Sequence, residues 1–494
     1  MRRSSAQERS PILADTNADT IYDVAIIGSG PAGYTAAIRG GQYGLKVALI
    51  ESASVLGGTC LHVGCIPTKA LLFNAEIWDH LKNAAEYGIA GIGTPQLDWA
   101  AVQKRKNAIV TRHTKGLEFL MKKNKVTTIS GYGKLTGPAK DGIHTVELSD
   151  GANGENSQQT RQVKAKNLIL ATGSEAKTIF GQEPDDRILT NIEILALAEP
   201  PKSLIVIGAG AVGVEFSSIF RSFGTEVTIL EFLPRAVPVE DEDISKELTR
   251  LFKKHGIDVN TGCKVEKIEK TATGVKVTWT TANGKTQEKE AEKVLVAVGR
   301  APRTANVGIE STNIELERGF VKVNEAQQTA EPGIYAIGDI VAGMPQLAHV
   351  GAMCGIVAVA KIAGRKFRPV RRDRIPGCTY TEPQIGSAGL TEAQAKEQGY
   401  TVKVGKFPFA GNSKATIVDS HDGFVKIVAD AKFGEILGVH IIGPQATELV
   451  AEAIAVMELE GTVDELMFTI HAHPTLSEAM LDAYAAVEGM AINA

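Results

Sequence analysis

The chain has 494 residues, 44% of them hydrophobic, with 50 glycines and five cysteines. That length holds three or four domains with full cores, while a formal net charge of −4 gives no support to nucleic acid as a substrate. No apolar run reaches the roughly 18 residues of a membrane span, and a low, odd cysteine count without an apolar leader is read as a cytoplasmic protein rather than a disulfide-stapled secreted one.

Residues 1–20 (MRRSSAQERSPILADTNADT) are polar, aperiodic and interrupted by Pro11, and are expected to be a disordered tail. Arg2 and Arg3 are not followed by the apolar region of a twin-arginine export signal. From Tyr22 the stretch YDVAIIGSGPAGYTAAIRGGQYGLKVALIE predicts a buried strand, a glycine turn, a helix and a second strand ending at Glu51. Gly28 suits the tight turn, Gly30 a close approach of backbone to a pyrophosphate at the helix N-terminus, Gly33 close packing of the helix, and Glu51 a ribose hydroxyl.

Next comes GGTCLHVGCIPTKALL, residues 57–72, with Cys60 and Cys65. Structural zinc requires four ligands, and no second tight pair exists. A structural bridge is rare in a reducing compartment, which leaves a catalytic disulfide or two buried apolar cysteines. An ideal helix holds residues five apart at roughly 9 Å between Cα atoms, beyond disulfide reach. A bond would therefore need a distorted helix, and Gly64 and Pro67 permit one.

Further along, LILATGSE (168–175) and VLVAVGRAP (295–302) are strand-to-glycine segments placed where a chain would cross between nucleotide domains. Between them SLIVIGAGAVGVEFSSIFRSFGTEVTILE repeats the dinucleotide pattern with Gly208, Gly210 and Gly213 and again ends in an acid, Glu231. A carboxylate there accepts from a 2′-hydroxyl and repels a 2′-phosphate, which favours NAD over NADP. Arg235 is read as a solvated arginine after a loop proline rather than a phosphate ligand. Asp339 in GIYAIGDI is positioned either for a flavin's ribityl hydroxyl or as a helix N-cap. Cys263, Cys354 and Cys378 are expected to be buried small hydrophobes.

Over about residues 21–494 these motifs, with HAHPTLSEAM at 471–480, resemble the pyridine nucleotide–disulfide oxidoreductase family. The fold implied is α/β: two Rossmann-like dinucleotide-binding domains, for FAD (21–174) and NAD (175–296), a central segment completing the FAD site (297–367), and an α+β C-terminal dimerisation domain (368–494). The resemblance makes Cys60 the thiol that meets substrate and Cys65 the one beside the flavin. Lys69 would lie at the flavin ring paired with Glu215, and His473 would be the acid–base, oriented by Glu478. Gly133, the segment Thr172, Gly173 and Ser174, Asp339, and the loop Gln346, Leu347, Ala348 and His349 would line FAD. Gly299 and Val265 would touch NAD. His62 and Thr68 stand where relatives carry Asn and Ser, and AHVGAMCG (348–355) lacks the charges usual after its Ala-His.

The implied activity is oxidation of a protein-bound dihydrolipoyl group with reduction of NAD+, in a homodimer whose His473 faces the disulfide of the other subunit. Imidazole titrates near neutrality, and a carboxylate four or five residues on fixes its tautomer. Pro474 predicts a helix beginning just after His473, so that His471 points elsewhere. Twenty residues before the FAD domain are too few for a lipoyl domain, so the lipoyl group is expected on a partner from a 2-oxoacid dehydrogenase complex or a glycine cleavage system. Other readings are a glutathione-type reductase, disfavoured by Glu231, a mercuric reductase, disfavoured by the lack of a C-terminal cysteine pair, and a flavin-bearing scaffold or redox sensor.

Overall fold

A computed structural model describes residues 20–150 and 156–493. Apart from Thr20, the tail expected at residues 1–20 lies outside the described residues. The described residues divide into two compact units, one built from those within 1–67, 104–175 and 300–370, the other from those within 68–103, 176–299 and 371–494.

In the first unit the strands Ile21–Ile27, Val47–Glu51 and Thr127–Ser130 run parallel, and the long strand Asn156–Leu170 joins them on the other side. Antiparallel strands His144–Asp150 and Tyr132–Leu135 extend that sheet, and Ile334–Ala336 pairs in parallel with Asn156–Leu170. Val24, Ala25, Ile26, Val47, Ala48 and Leu49 are all buried. Such unbroken apolar runs belong to a sheet covered on both faces. On one face lies the helix Pro31–Gln42, against which the helix Ala348–Ile362 packs closely. A Cβ on Gly355 would meet the Ala32 carbonyl at 2.7 Å, and one on Gly351 would meet the Ala32 Cβ at 3.1 Å. The uncharged AHVGAMCG segment therefore serves this contact, and Cys354 within it is fully buried.

The second unit contains a parallel sheet ordered Ile257–Asn260, Glu226–Leu230, Ser203–Ile207, Lys293–Val296, Ile188–Leu189. A three-stranded antiparallel sheet, Lys264–Lys270, Val275–Thr280 and Thr286–Ala291, contributes Val275, Val277 and Trp279 to its core. Beyond it the strands Gly377–Thr379, Gln384–Gly389, Ile436–Gly443, Phe424–Asp430 and Val402–Pro408 form a wholly antiparallel sheet. The helices Ala446–Glu458 and Glu478–Val487 bury Val450, Met457, Met480 and Tyr484 against it. This sheet also buries charge. Lys426, 3% exposed, is bound by Asp241 at 2.8 Å, Glu392 at 2.9 Å and Asp243 at 3.1 Å.

Candidate active site

The two glycine turns are built alike. Gly28 and Gly208 have φ of 105° and 104°, and a Cβ on either would strike a backbone carbonyl, Ala171 O at 2.2 Å or Ala297 O at 2.4 Å. A Cβ on Gly33 or Gly213 would lie 1.9 Å from the carbonyl of Gly28 or Gly208. At both middle positions, Gly30 and Gly210, nothing comes within 4 Å of an added Cβ. Neither following helix, Pro31–Gln42 nor Ala211–Ser222, has a side-chain cap, so each presents bare amides to open space, the arrangement that binds a pyrophosphate.

The acids are braced in the same way. Glu51 accepts from the Ser29 amide (2.9 Å), the Ser29 hydroxyl (2.6 Å) and the Ala53 amide (2.8 Å). Glu231 accepts from the amides of Ala209 (2.5 Å) and Leu233 (2.8 Å). Each carboxylate is thus held at the end of its strand, with lone pairs left for a ribose hydroxyl. Arg235 donates to the carbonyl of Pro238 at 2.9 Å, within its own loop.

Cys60 and Cys65 form a disulfide with their Cα atoms 4.7 Å apart. The helix breaks to allow it: Gly58–Val63 ends at Gly64, which has φ −142° and ψ −117°, and Cys65–Lys82 starts afresh. A Cβ on Gly64 would lie 2.9 Å from Thr59 O and 3.1 Å from the Cys60 Cα, so the close approach of the two cysteines requires glycine there. His62 bonds through Nε2 to the carbonyl of Leu56 at 2.8 Å, anchoring the loop ahead of the disulfide, and Thr68 is buried.

Lys69, one turn further along the helix, makes a bidentate pair with Glu215, at 2.8 and 2.7 Å. The Glu215 side chain is nearly buried and the Lys69 side chain about one-third exposed.

His473 lies in a loop, its side chain 70% exposed, with Nδ1 2.9 Å from Glu478 Oε1. The other Glu478 oxygen accepts from the Thr475 amide at 2.8 Å. Burial raises the Glu478 carboxyl, but the Thr475 amide and His473 outweigh it and hold the group below the usual carboxylate range. An ionised carboxylate only accepts, so Nδ1 carries the proton and Nε2 is the basic nitrogen. His471 is engaged differently: Nδ1 meets Thr469 O at 2.8 Å, Nε2 meets Glu452 at 3.2 Å, and its side chain is 5% exposed.

The other expected residues fall at several places. Asp339 sits in a short 3-10 turn and accepts from the Ser174 hydroxyl at 2.5 Å; it is not a cap. Gln346 donates to Asp339 O, Leu347 precedes the helix Ala348–Ile362, and His349 is exposed on its first turn. Thr172 donates to Arg303 O, and Gly173 and Gly299 have φ of 75° and 103° with open space at the Cβ position. Gly133 faces Val146, Ile27 and Ile50, and Val265 is half-buried against the core of its unit.

Cys263 is buried as expected, but Cys378 is only half-buried, and burial pushes its thiol up to about 11. Two residues that sequence reasoning missed join these groups. Arg300 donates to the Ser174 hydroxyl and carbonyl, both at 2.7 Å, and so steadies the partner of Asp339. Tyr380 touches both members of the Lys69–Glu215 pair. Neither contact has a local sequence signal.

A redox-active cysteine pair, two dinucleotide cradles and a carboxylate-held histidine define a flavin- and nicotinamide-dependent disulfide oxidoreductase. Residues 22–355 match the family described as pyridine nucleotide-disulphide oxidoreductase, and residues 375–484 match its dimerisation domain. The chain belongs to that family. It is 43% identical over 481 residues to the dihydrolipoyl dehydrogenase of Bacillus subtilis, covering 96% of this chain and 99% of that one. Against the Rhizobium etli enzyme of the same name it is 43% identical over 484 residues, with 96% and 99% covered. The crystal structure of LpdA from Mycobacterium tuberculosis superposes with a TM-score of 0.84 at 27% identity, covering 93% of this chain and 98% of that one. The cofactors are FAD and NAD, and both cradles fit a dinucleotide. Among the described residues no cluster suited to a metal ion occurs, and no helix is long and apolar enough to cross a membrane.

Proposed function

We propose that the chain oxidises the dihydrolipoyl group of a partner protein to lipoyl, with reduction of NAD+ to NADH. The observation that carries this is the Cys60–Cys65 disulfide, held on a helix broken at Gly64, in a chain so similar to dihydrolipoyl dehydrogenases. His473 Nε2 takes the proton from one substrate thiol, and the thiolate attacks Cys60 Sγ. The Cys60–Cys65 bond breaks, Cys65 leaves as thiolate, and a mixed disulfide joins substrate to Cys60. His473 releases that proton to solvent and takes the proton of the second substrate thiol, whose sulfur then attacks the first. This closes the lipoyl ring and releases the Cys60 thiolate. Glu478 stabilises the imidazolium that His473 becomes. Bound FAD would supply two-electron acceptance from the Cys65 thiolate and hydride donation to NAD+.

Lys69, paired with Glu215, supplies positive charge at the flavin ring. Gly28, Gly30, Gly33, Glu51 and Asp339 hold FAD, and Gly208, Gly210, Gly213 and Glu231 hold NAD. Gly133, Thr172 to Ser174 and Gln346 to His349 complete the flavin site, with Gly299 and Val265 on the NAD side. The lipoyl group comes from a 2-oxoacid dehydrogenase complex or a glycine cleavage system, and a cytoplasmic setting suits a dithiol that must cycle. Steady-state assays pairing NAD+ or NADP+ with dihydrolipoamide or glutathione test the reading. Turnover is expected with dihydrolipoamide and NAD+. Faster turnover with glutathione and the NADP couple, or one stoichiometric reaction followed by arrest, would overturn it.

A further inference from the structure

We infer that Tyr380 is a positioning residue of the redox centre, holding the Lys69 ammonium against one face of its ring. The inference rests on the proposed place of Lys69 beside the flavin. Lys69 Nζ lies 4.5 Å from the Tyr380 ring centroid, within the range of an attractive cation–π contact. The Tyr380 amide also donates to Glu215 Oε1 at 3.0 Å. One residue therefore fixes both halves of the pair, the carboxylate through its backbone and the cation through its ring. Burial, reinforced by Cys378, Glu215 and Glu448, holds the phenol above its ordinary value, so the ring stays neutral and its face electron-rich.

The arrangement has a purpose that Glu215 alone cannot serve. The Lys69 side chain is 32% exposed, and a flexible four-carbon stem on an open side is free to swing into water. With the ring on one side and the carboxylate on another, the ammonium has few places to go. A fixed cation stabilises charge that develops beside it without first having to reorganise. Tyr380 thereby sets how strongly Lys69 favours the reduced flavin. Its hydroxyl takes no part in this.

The test uses purified holoenzyme carrying Tyr380→Phe, Tyr380→Leu, Tyr380→Met or Lys69→Met, without substrate. The reduced-to-oxidised flavin ratio is read by absorbance against a reference dye at fixed poise, with FAD content and thermal melting recorded for each variant. Tyr380→Phe keeps the face and is expected to leave the ratio unchanged. Tyr380→Leu fills similar space without a π face and is expected to lower the ratio about three- to tenfold. Tyr380→Met repeats the comparison if the leucine variant does not fold. If Lys69→Met lowers the ratio while neither aliphatic variant does, or if Tyr380→Phe falls as far as Tyr380→Leu, the inference is overturned alone. If Lys69→Met also leaves the ratio unchanged, the placing of Lys69 fails, and this inference with it.

Discussion

In the proposed reaction Cys60 and Cys65 take separate parts, so single substitutions should separate its halves. Cys60→Ser is expected to abolish dihydrolipoamide turnover while NADH still reduces an artificial dye, because hydride reaches FAD without the disulfide. Loss of both activities would show that Cys60 supports FAD binding rather than disulfide exchange. Glu231 makes a second test. Its carboxylate braces the glycine turn through the Ala209 and Leu233 amides and has lone pairs left for a ribose. Glu231→Ala should weaken NAD by about 1.5–3 kcal/mol, the scale of a hydrogen bond to a charged group, with FAD content unchanged. Titration of NAD by quenching of flavin fluorescence measures it, and an unchanged affinity would contradict the assignment. Residues of this kind were legible because their neighbours carry the meaning: glycine spacing, a cysteine pair five apart, a histidine five residues before a glutamate. Tyr380 and Arg300 were not legible. Tyr380 meets Glu215 across 165 positions and Arg300 meets Ser174 across 126, and nothing in the flanking sequence marks such contacts.

Elements were harder to read than motifs, and the helix after His473 shows why. Pro474 predicts a helix beginning at once, yet the helix starts at Glu478. The intervening backbone is used otherwise: the Thr475 amide donates to Glu478 and the Thr475 carbonyl accepts from Asn412 at 3.0 Å. The delay leaves Glu478 at the helix N-terminus, where a carboxylate is favoured, with its oxygens turned back toward His473. In the redox helix Gly64 and Pro67 permit a distortion if the cysteines bond, but its form, a break between two helices, follows from the approach of Gly64 to Thr59 and Cys60. No periodicity reveals the buried Lys426 cluster either. Its lysine is on the strand Phe424–Asp430, and Asp241 caps the helix Glu242–Lys254. Lys426→Met should cost about 3–5 kcal/mol, since it leaves the buried Asp241 carboxylate without its cation. Burial raises the Asp241 carboxyl, but the bond from Lys426 and its other partners outweigh this and hold it below the ordinary aspartate value. Such a group adds stability that is complete above that ordinary value and is lost as pH falls through the depressed one. In urea unfolding, the gap between the unmutated protein and Lys426→Met should therefore narrow on acidification. A gap that is small at neutral pH, or that widens in acid, would count against the cluster as a stabilising device.

At the scale of the molecule, we propose that a disulfide from one subunit meets a base from another. The family's dimerisation domain, residues 375–484, carries His473, and its side chain is 70% exposed. On that proposal a two-fold dimer would have two composite sites, each with one subunit's Cys60 and Cys65 and its partner's His473. Complementation tests this most directly. Cys65→Ser and His473→Gln homodimers should each be nearly inactive with dihydrolipoamide and NAD+. When the two are unfolded and refolded together in equal amounts, half of the dimers are mixed, and each mixed dimer has one site with both defects and one with none. The mixture should recover about a quarter of the unmutated activity. A mixture no more active than its parents would contradict the shared site, because a base acting within its own chain leaves a defect in every site.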